Sequence, residues 1–188
     1  MTEIGLAMYL DLLEEAVEAL KAGREPALDK PLAAATEVEL RLPAFLPEAF
    51  IADVHVRLGL YKRIAAAESA EALDDLTAEI HDRFGALPPP AQSLLRIAKL
   101  KLTARAIGIR RLDLGPQGGS VTFEERNAVE PAAVIRLMQQ APREYRLEGP
   151  LRLRVSRAIP TEEARFEFGA SLMKRLAGRS AAGREASR

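Results

Sequence analysis

Residues 60–88 read LYKRIAAAESAEALDDLTAEIHDRFGALP, and their spacing predicts one helix with two unlike faces and a hard stop. Leu73, Leu76, Ile80 and Phe84 recur at three- and four-residue steps, which lines them up as one buried stripe. Glu71, Asp75, Glu79 and Asp82 recur in the same way on another side, as an exposed column of four carboxylates. No Lys or Arg falls between Ile64 and Asp82, so nothing inside the helix neutralises that column. Acids four residues apart repel one another by roughly a few tenths of a kcal/mol per pair. Such a column is either a solvated face or a docking face for a partner that brings arginines. Ser69 is placed to cap the helix N-terminus, with Glu71 in its favourable first turn. Gly85 ends the helix, and Pro88-Pro89-Pro90 prevents its continuation.

Outward from this helix the pattern alternates between helical and strand periods. Leu6, Tyr9, Leu13, Val17 and Leu20 predict a first amphipathic helix over 4–22, ending near Gly23. Glu37 to Leu42 alternates strictly and reads as a strand with one wet face, and Pro43 and Pro47 make the next segment irregular. A helix is predicted from Val54 to Glu68. A proline opens the next one, carrying Leu94, Leu95, Ala98, Leu102 and Ile107, and Gly108 stops it. Ile109 to Phe123, broken by Gly115-Pro116-Gln117-Gly118-Gly119, predicts a hairpin. Pro131 starts a short helix through Gln140. Tyr145 to Val155, turning at Gly149-Pro150, predicts a second hairpin, and Thr161 opens a last helix with Phe168, Leu172 and Leu176 inward. The expected class is α+β, with several amphipathic helices on a small antiparallel sheet built largely from the two C-terminal hairpins. Residues 1–177 are expected to form a single regulatory domain, the 4–22 helix either within it or as an N-terminal extension. Residues 178–188 are expected to be a disordered tail.

Composition narrows the function. Lys+Arg and Asp+Glu both number 27, so the chain lacks the overall positive charge of a dedicated nucleic-acid module. Charge is segregated locally, since the acidic helix is followed by Arg96, Lys99, Lys101, Arg105, Arg110 and Arg111. With no cysteine, disulfides, thiolate metal sites and cysteine nucleophiles are excluded. No apolar run reaches the ~20 residues that span a bilayer. The N-terminus carries Glu3, Asp11, Glu14 and Glu15 in place of the basic start of a signal peptide, which predicts a cytoplasmic domain with no membrane contact.

Catalytic chemistry finds little purchase. There is no phosphate-binding Gly-Lys-Ser/Thr loop and no Gly-x-Gly-x-x-Gly after a strand, and Gly115 to Gly119 joins two strands. His55 and His81 lie on different predicted helices, and Asp82 beside His81 points about 100° away, so neither forms a local acid–base pair or metal set. Asp75, Glu79 and Asp82 lack the asymmetric apolar environment of a glycosidase-like acid and base. No metal or cofactor is implied. The alternative to docking is a nucleic-acid-binding module using Arg96, Lys99, Lys101 and Arg105 with the Arg152/Arg154 strand, although exposed aromatics for stacking are not interleaved with it. Tyr61-Lys62-Arg63 is a further contact candidate, or a packed Tyr with snorkelling cations.

Several segments, in order, resemble one family. They are IGLAMYLDLLEEAVEALKAGREP (4–26), TEVELRLPAFLP (36–47), LYKRIAAAES (60–69), the acidic helix running into Asp82-Arg83-Phe84-Gly85, and LEGPLRLRV (147–155). The chain from Ile4 to Leu176 is similar to the C-terminal domain of bacterial transcription-repair coupling factors. The resemblance implies a parent that is an ATP-driven DNA translocase, which displaces stalled RNA polymerase and recruits the excision-repair protein UvrA. It implies that this domain docks onto the parent's own UvrB-like module, masks the UvrA-binding surface and restrains the motor. The docking acids it implies are Glu79 and Asp82, facing arginines of that module, with Asp75 and Glu71 extending the face. An exposed carboxylate–arginine pair contributes about 0.2–1 kcal/mol, which suits a releasable clamp.

Overall fold

The computed structural model describes residues 36–177. The expected 4–22 helix and the 178–188 tail lie outside the described residues. Ten elements follow one another: β1 Glu37–Glu39, α1 Val54–Ala66, α2 Ala70–Phe84, α3 Pro89–Ala106, β2 Ile109–Gly115, β3 Gly118–Phe123, α4 Pro131–Gln140, β4 Tyr145–Leu147, β5 Arg152–Val155 and α5 Glu162–Ala177. The α+β expectation holds, and both C-terminal hairpins are present.

The sheet order is β1-β2-β3-β5-β4. Strands β2 to β5 pair antiparallel, with Val121 opposite both Leu112 and Leu153 and with Tyr145 opposite Val155. β1 departs from the expected antiparallel sheet: it lies parallel to β2, with Val38 opposite Leu112, so the sheet is mixed. The connection permits this, because three helices rather than a turn join β1 to β2, and parallel neighbours need a crossover of a dozen or more residues. β1 also stops at Glu39, short of the predicted Leu42. Arg41 adopts φ 52°, and its guanidinium turns back onto Asp113 at 3.0 Å.

The β2–β3 hairpin depends on Gly119. A Cβ there would sit 1.8 Å from the Asp113 carbonyl oxygen, so the two strands approach as closely as they do only with no side chain at this point.

Two apolar cores share one helix. Leu112, Leu114, Val121, Leu153 and Val155 of the sheet pack with Leu137 of α4 and with Phe166, Leu172, Met173 and Leu176 of α5. A second core gathers Leu46, Ile51, Leu60, Ile64, Leu73, Leu76, Ile80, Ala91 and Leu95 from α1, α2, the start of α3 and the segment before α1. α3 supplies Ala91 and Leu95 to the second core and Leu100 and Ala104 to the first, where Ile107, the residue that caps its C-terminus, joins them. This explains why its sequence is apolar around most of its circumference. The proline-rich 43–53 segment is pinned by burial of Leu46 and Ile51 and by the Leu46 N–H, which donates to the Tyr61 hydroxyl at 2.7 Å. That bond settles Tyr61 as a packed, structural residue.

Candidate docking face on the acidic helix

α2 is capped as its sequence predicts. The Ser69 hydroxyl accepts from the Ala72 N–H at 3.2 Å, and Gly85 takes φ 87° while its N–H donates to the His81 carbonyl. Leu73, Leu76 and Ile80 are buried, and Phe84 is half-buried edge-on against Phe50, with centroids 6.2 Å apart. The opposite side is acidic. Glu71, Asp74, Asp75 and Asp82 are exposed, the Asp82 side chain by 83%. The Glu71 carboxyl lies below its ordinary value because its own backbone N–H and then the Ser69 hydroxyl hydrogen-bond the charged form.

The column is not uncompensated, which corrects the sequence expectation. Arg63, in the last turn of α1, donates to both Glu79 oxygens at 2.7 and 2.5 Å, and Arg83 donates to Oε1 at 3.1 Å. Arg63 first and Arg83 second hold the Glu79 carboxyl down to about 2. Lys99 of α3 forms an ion pair with Asp74. Glu71, Asp75 and Asp82 keep no Lys or Arg ion pair among the described residues; Asp82 has only His81 at 3.8 Å, beyond hydrogen-bond reach, with both side chains exposed. Both cations flank the cation-free stretch 64–82: Arg63 stands in the last turn of α1 and Arg83 in the last turn of α2 itself.

The basic candidates do not form one surface. At about 100° per residue, Arg96 and Lys99 lie on one side of α3 while Lys101 and Arg105 lie nearly opposite. Arg96 is held by Glu163 through two bonds of 2.6 Å and stacks 4.0 Å above the centre of the Phe166 ring. Glu163 keeps the Arg96 guanidinium above its ordinary pKa. Lys99 belongs to Asp74, Arg111 to Glu37 at 2.7 Å, and Arg152 and Arg154 lean on Glu148 at 3.6 and 3.8 Å. Lys101, Arg105 and Arg110 are exposed without an ion pair among the described residues.

A cavity of about 330 Å³ opens between β4 and α5, lined by Tyr145, Arg157, Ile159, Phe168 and Arg175, and none of the α2 carboxylates lines it. Among the described residues no three His, Asp or Glu side chains group to hold a metal ion. No helix among them is long and apolar enough to cross a membrane.

Comparison with known proteins places this architecture. A sequence model of the TRCF domain matches residues 40–134, a span that contains all of α2. The transcription-repair-coupling factor of Escherichia coli K12 is 47% identical over 94% of this chain, and that of Haemophilus influenzae is 41% identical over 93%. The coupling factor of Myxococcus xanthus is 34% identical over 81% of the chain. The chain spans 15% of the length of the first two relatives and 12% of the third. A crystal structure of the C-terminal domain of a transcription-repair coupling factor superposes with a TM-score of 0.62 at 20% identity, over 78% of this chain and 96% of that one. That likeness is one of fold.

Proposed function

The chain belongs to the TRCF domain family, and from that premise we propose that it is a non-catalytic regulatory domain of a bacterial, cytoplasmic transcription-repair coupling factor. In this reading α2 docks its acidic face on arginines of the parent's own UvrB-like module. Docking covers the surface that UvrA would use and restrains an ATP-driven DNA translocase until RNA polymerase is engaged. UvrA, polymerase and DNA are reached through the parent rather than by this domain.

The observation that carries the reading is the exposure and charge of α2 together. Its carboxylates stand on one face of a well-capped helix, and Asp82 presents an 83% exposed carboxylate one turn beyond Glu79. Arginine is the fitting counterpart, because a planar guanidinium can meet a carboxylate with two directed bonds. Each exposed pair is weak, so several are needed to hold the domain and modest competing contacts can release it. The nucleic-acid reading loses support where Arg96, Lys99, Arg111, Arg152 and Arg154 are spent on carboxylates of the domain itself.

The test is Asp82→Arg introduced into the whole coupling factor. UvrA binding and DNA-free ATPase should both rise, because the mask and the restraint are released together. Wild-type values of both would remove the proposal.

A further inference from the structure

Glu79 differs from the other acids of α2 in already having arginine partners. Arg63 occupies both its oxygens and Arg83 adds a third bond at Oε1, so three donors meet a carboxylate that offers roughly four lone-pair positions. Both arginine side chains are about half exposed, at 51% and 50%, and therefore stand where a partner would approach. The Arg83 guanidinium also lies 4.9 Å from the centre of the Phe84 ring, which keeps it beside Glu79. A partner's arginine reaching Glu79 must displace one of these groups or sit against two like charges. The depressed Glu79 pKa is the same pairing seen electrostatically.

We propose that Arg63 and Arg83 are intradomain competitors for the docking carboxylate, so that docking exchanges an arginine of this domain for one of the partner. This rests on the docking reading above and adds affinity-setting residues to it. Net attraction then comes from Asp82 and Asp75, which have no Lys or Arg pair among the described residues, while Glu79 trades one guanidinium for another of similar strength. On release, Glu79 closes again on its own arginines, so undocking leaves no bare carboxylate. The two competitors are unequal. Arg63 holds Glu79 with two bonds from a separate helix, and Arg83 holds it with one bond from the next turn, so Arg83 yields first.

The test titrates the 188-residue chain into the separately expressed UvrB-like module at low salt, comparing wild type, Arg83→Gln, Arg63→Gln and each in a Glu79→Gln background. Removing one exposed competitor should tighten Kd about two- to fivefold for Arg83→Gln. The gain should vanish when Glu79 is Gln, which a general change in net charge would not produce. Thermal melts accompany each variant. If Arg63→Gln loosens α1, the exposed Arg83→Gln still decides. Wild-type binding with unchanged or weaker binding of Arg83→Gln overturns the exchange and leaves the docking reading standing. Absence of binding by the wild-type chain overturns both.

Discussion

Ile80→Ala removes the centre of the platform on which the acidic face stands. Ile80 is fully buried among Leu46, Ile51, Leu60, Ile64, Leu73, Leu76, Ala91 and Leu95. Taking away three carbons costs about 2.4 kcal/mol of transfer free energy, at ~0.8 kcal/mol each. A cavity term adds to this, because the surroundings resist collapse. α2 is capped at both ends, α3 begins at a proline triplet, and the Leu46 segment is tied to Tyr61. The total is about 3–4 kcal/mol, within the range for buried Ile-to-Ala changes. For a domain of this size that lowers Tm by roughly 7–14 °C. Urea unfolding followed by circular dichroism should show a lower midpoint with an unchanged slope. A loss below about 1 kcal/mol would refute the reasoning, because a site that tolerates the truncation is not the rigid, wholly buried core described.

Three further expectations follow from single contacts. Glu79→Gln should destabilise the chain at neutral pH. The folded Glu79 carboxyl sits at about 2 against an ordinary 4.5, so its stabilisation is complete above 4.5 and fades as pH falls toward 2. Melting curves of wild type and variant should therefore converge across that window, and a constant gap would contradict the Arg63–Glu79–Arg83 pairing. Gly119→Ala drives a Cβ to 1.8 Å from the Asp113 carbonyl oxygen, so the β2–β3 hairpin must open. The loss should exceed the ~1–3 kcal/mol usual for overpacking, and wild-type melting would show the strands to be further apart. Fluorescence anisotropy with a labelled duplex at low salt should show no binding. A salt-sensitive shift would restore the basic face as a nucleic-acid site.

What the sequence discloses is local, and what it conceals is long-range. The limits of α2 are legible because Ser69 and Gly85 satisfy the helix ends through bonds spanning three or four residues. Both hairpins are legible because their turns carry Gly and Pro between alternating runs. The buried stripe of α2 is legible from its period, although nothing in that period says which core receives it. The Arg63–Glu79 bond spans 16 residues and depends on how α1 and α2 lie together, so a count of charges within one helix misses it. Arg96–Glu163 and Lys99–Asp74 are hidden for the same reason, and they divide a basic stretch that looks continuous in one dimension. The parallel pairing of β1 with β2 joins residues 74 positions apart, beyond the reach of any turn signal.

The docking claim is tested most directly by calorimetric titration of this chain into the UvrB-like module, with wild type and Asp82→Arg, at about 0.05 M and about 1 M salt. Asp82 is the cleaner position for charge reversal, because reversing Glu79 would also break three hydrogen bonds inside the domain. Wild type should bind at low salt and weaken at high salt. Asp82→Arg should bind about 2- to 30-fold more weakly at low salt, having lost one attraction and gained one repulsion, with an unchanged melting curve. Equal binding of the two proteins at low salt, or wild-type binding indifferent to salt, would contradict an acidic clamp on α2.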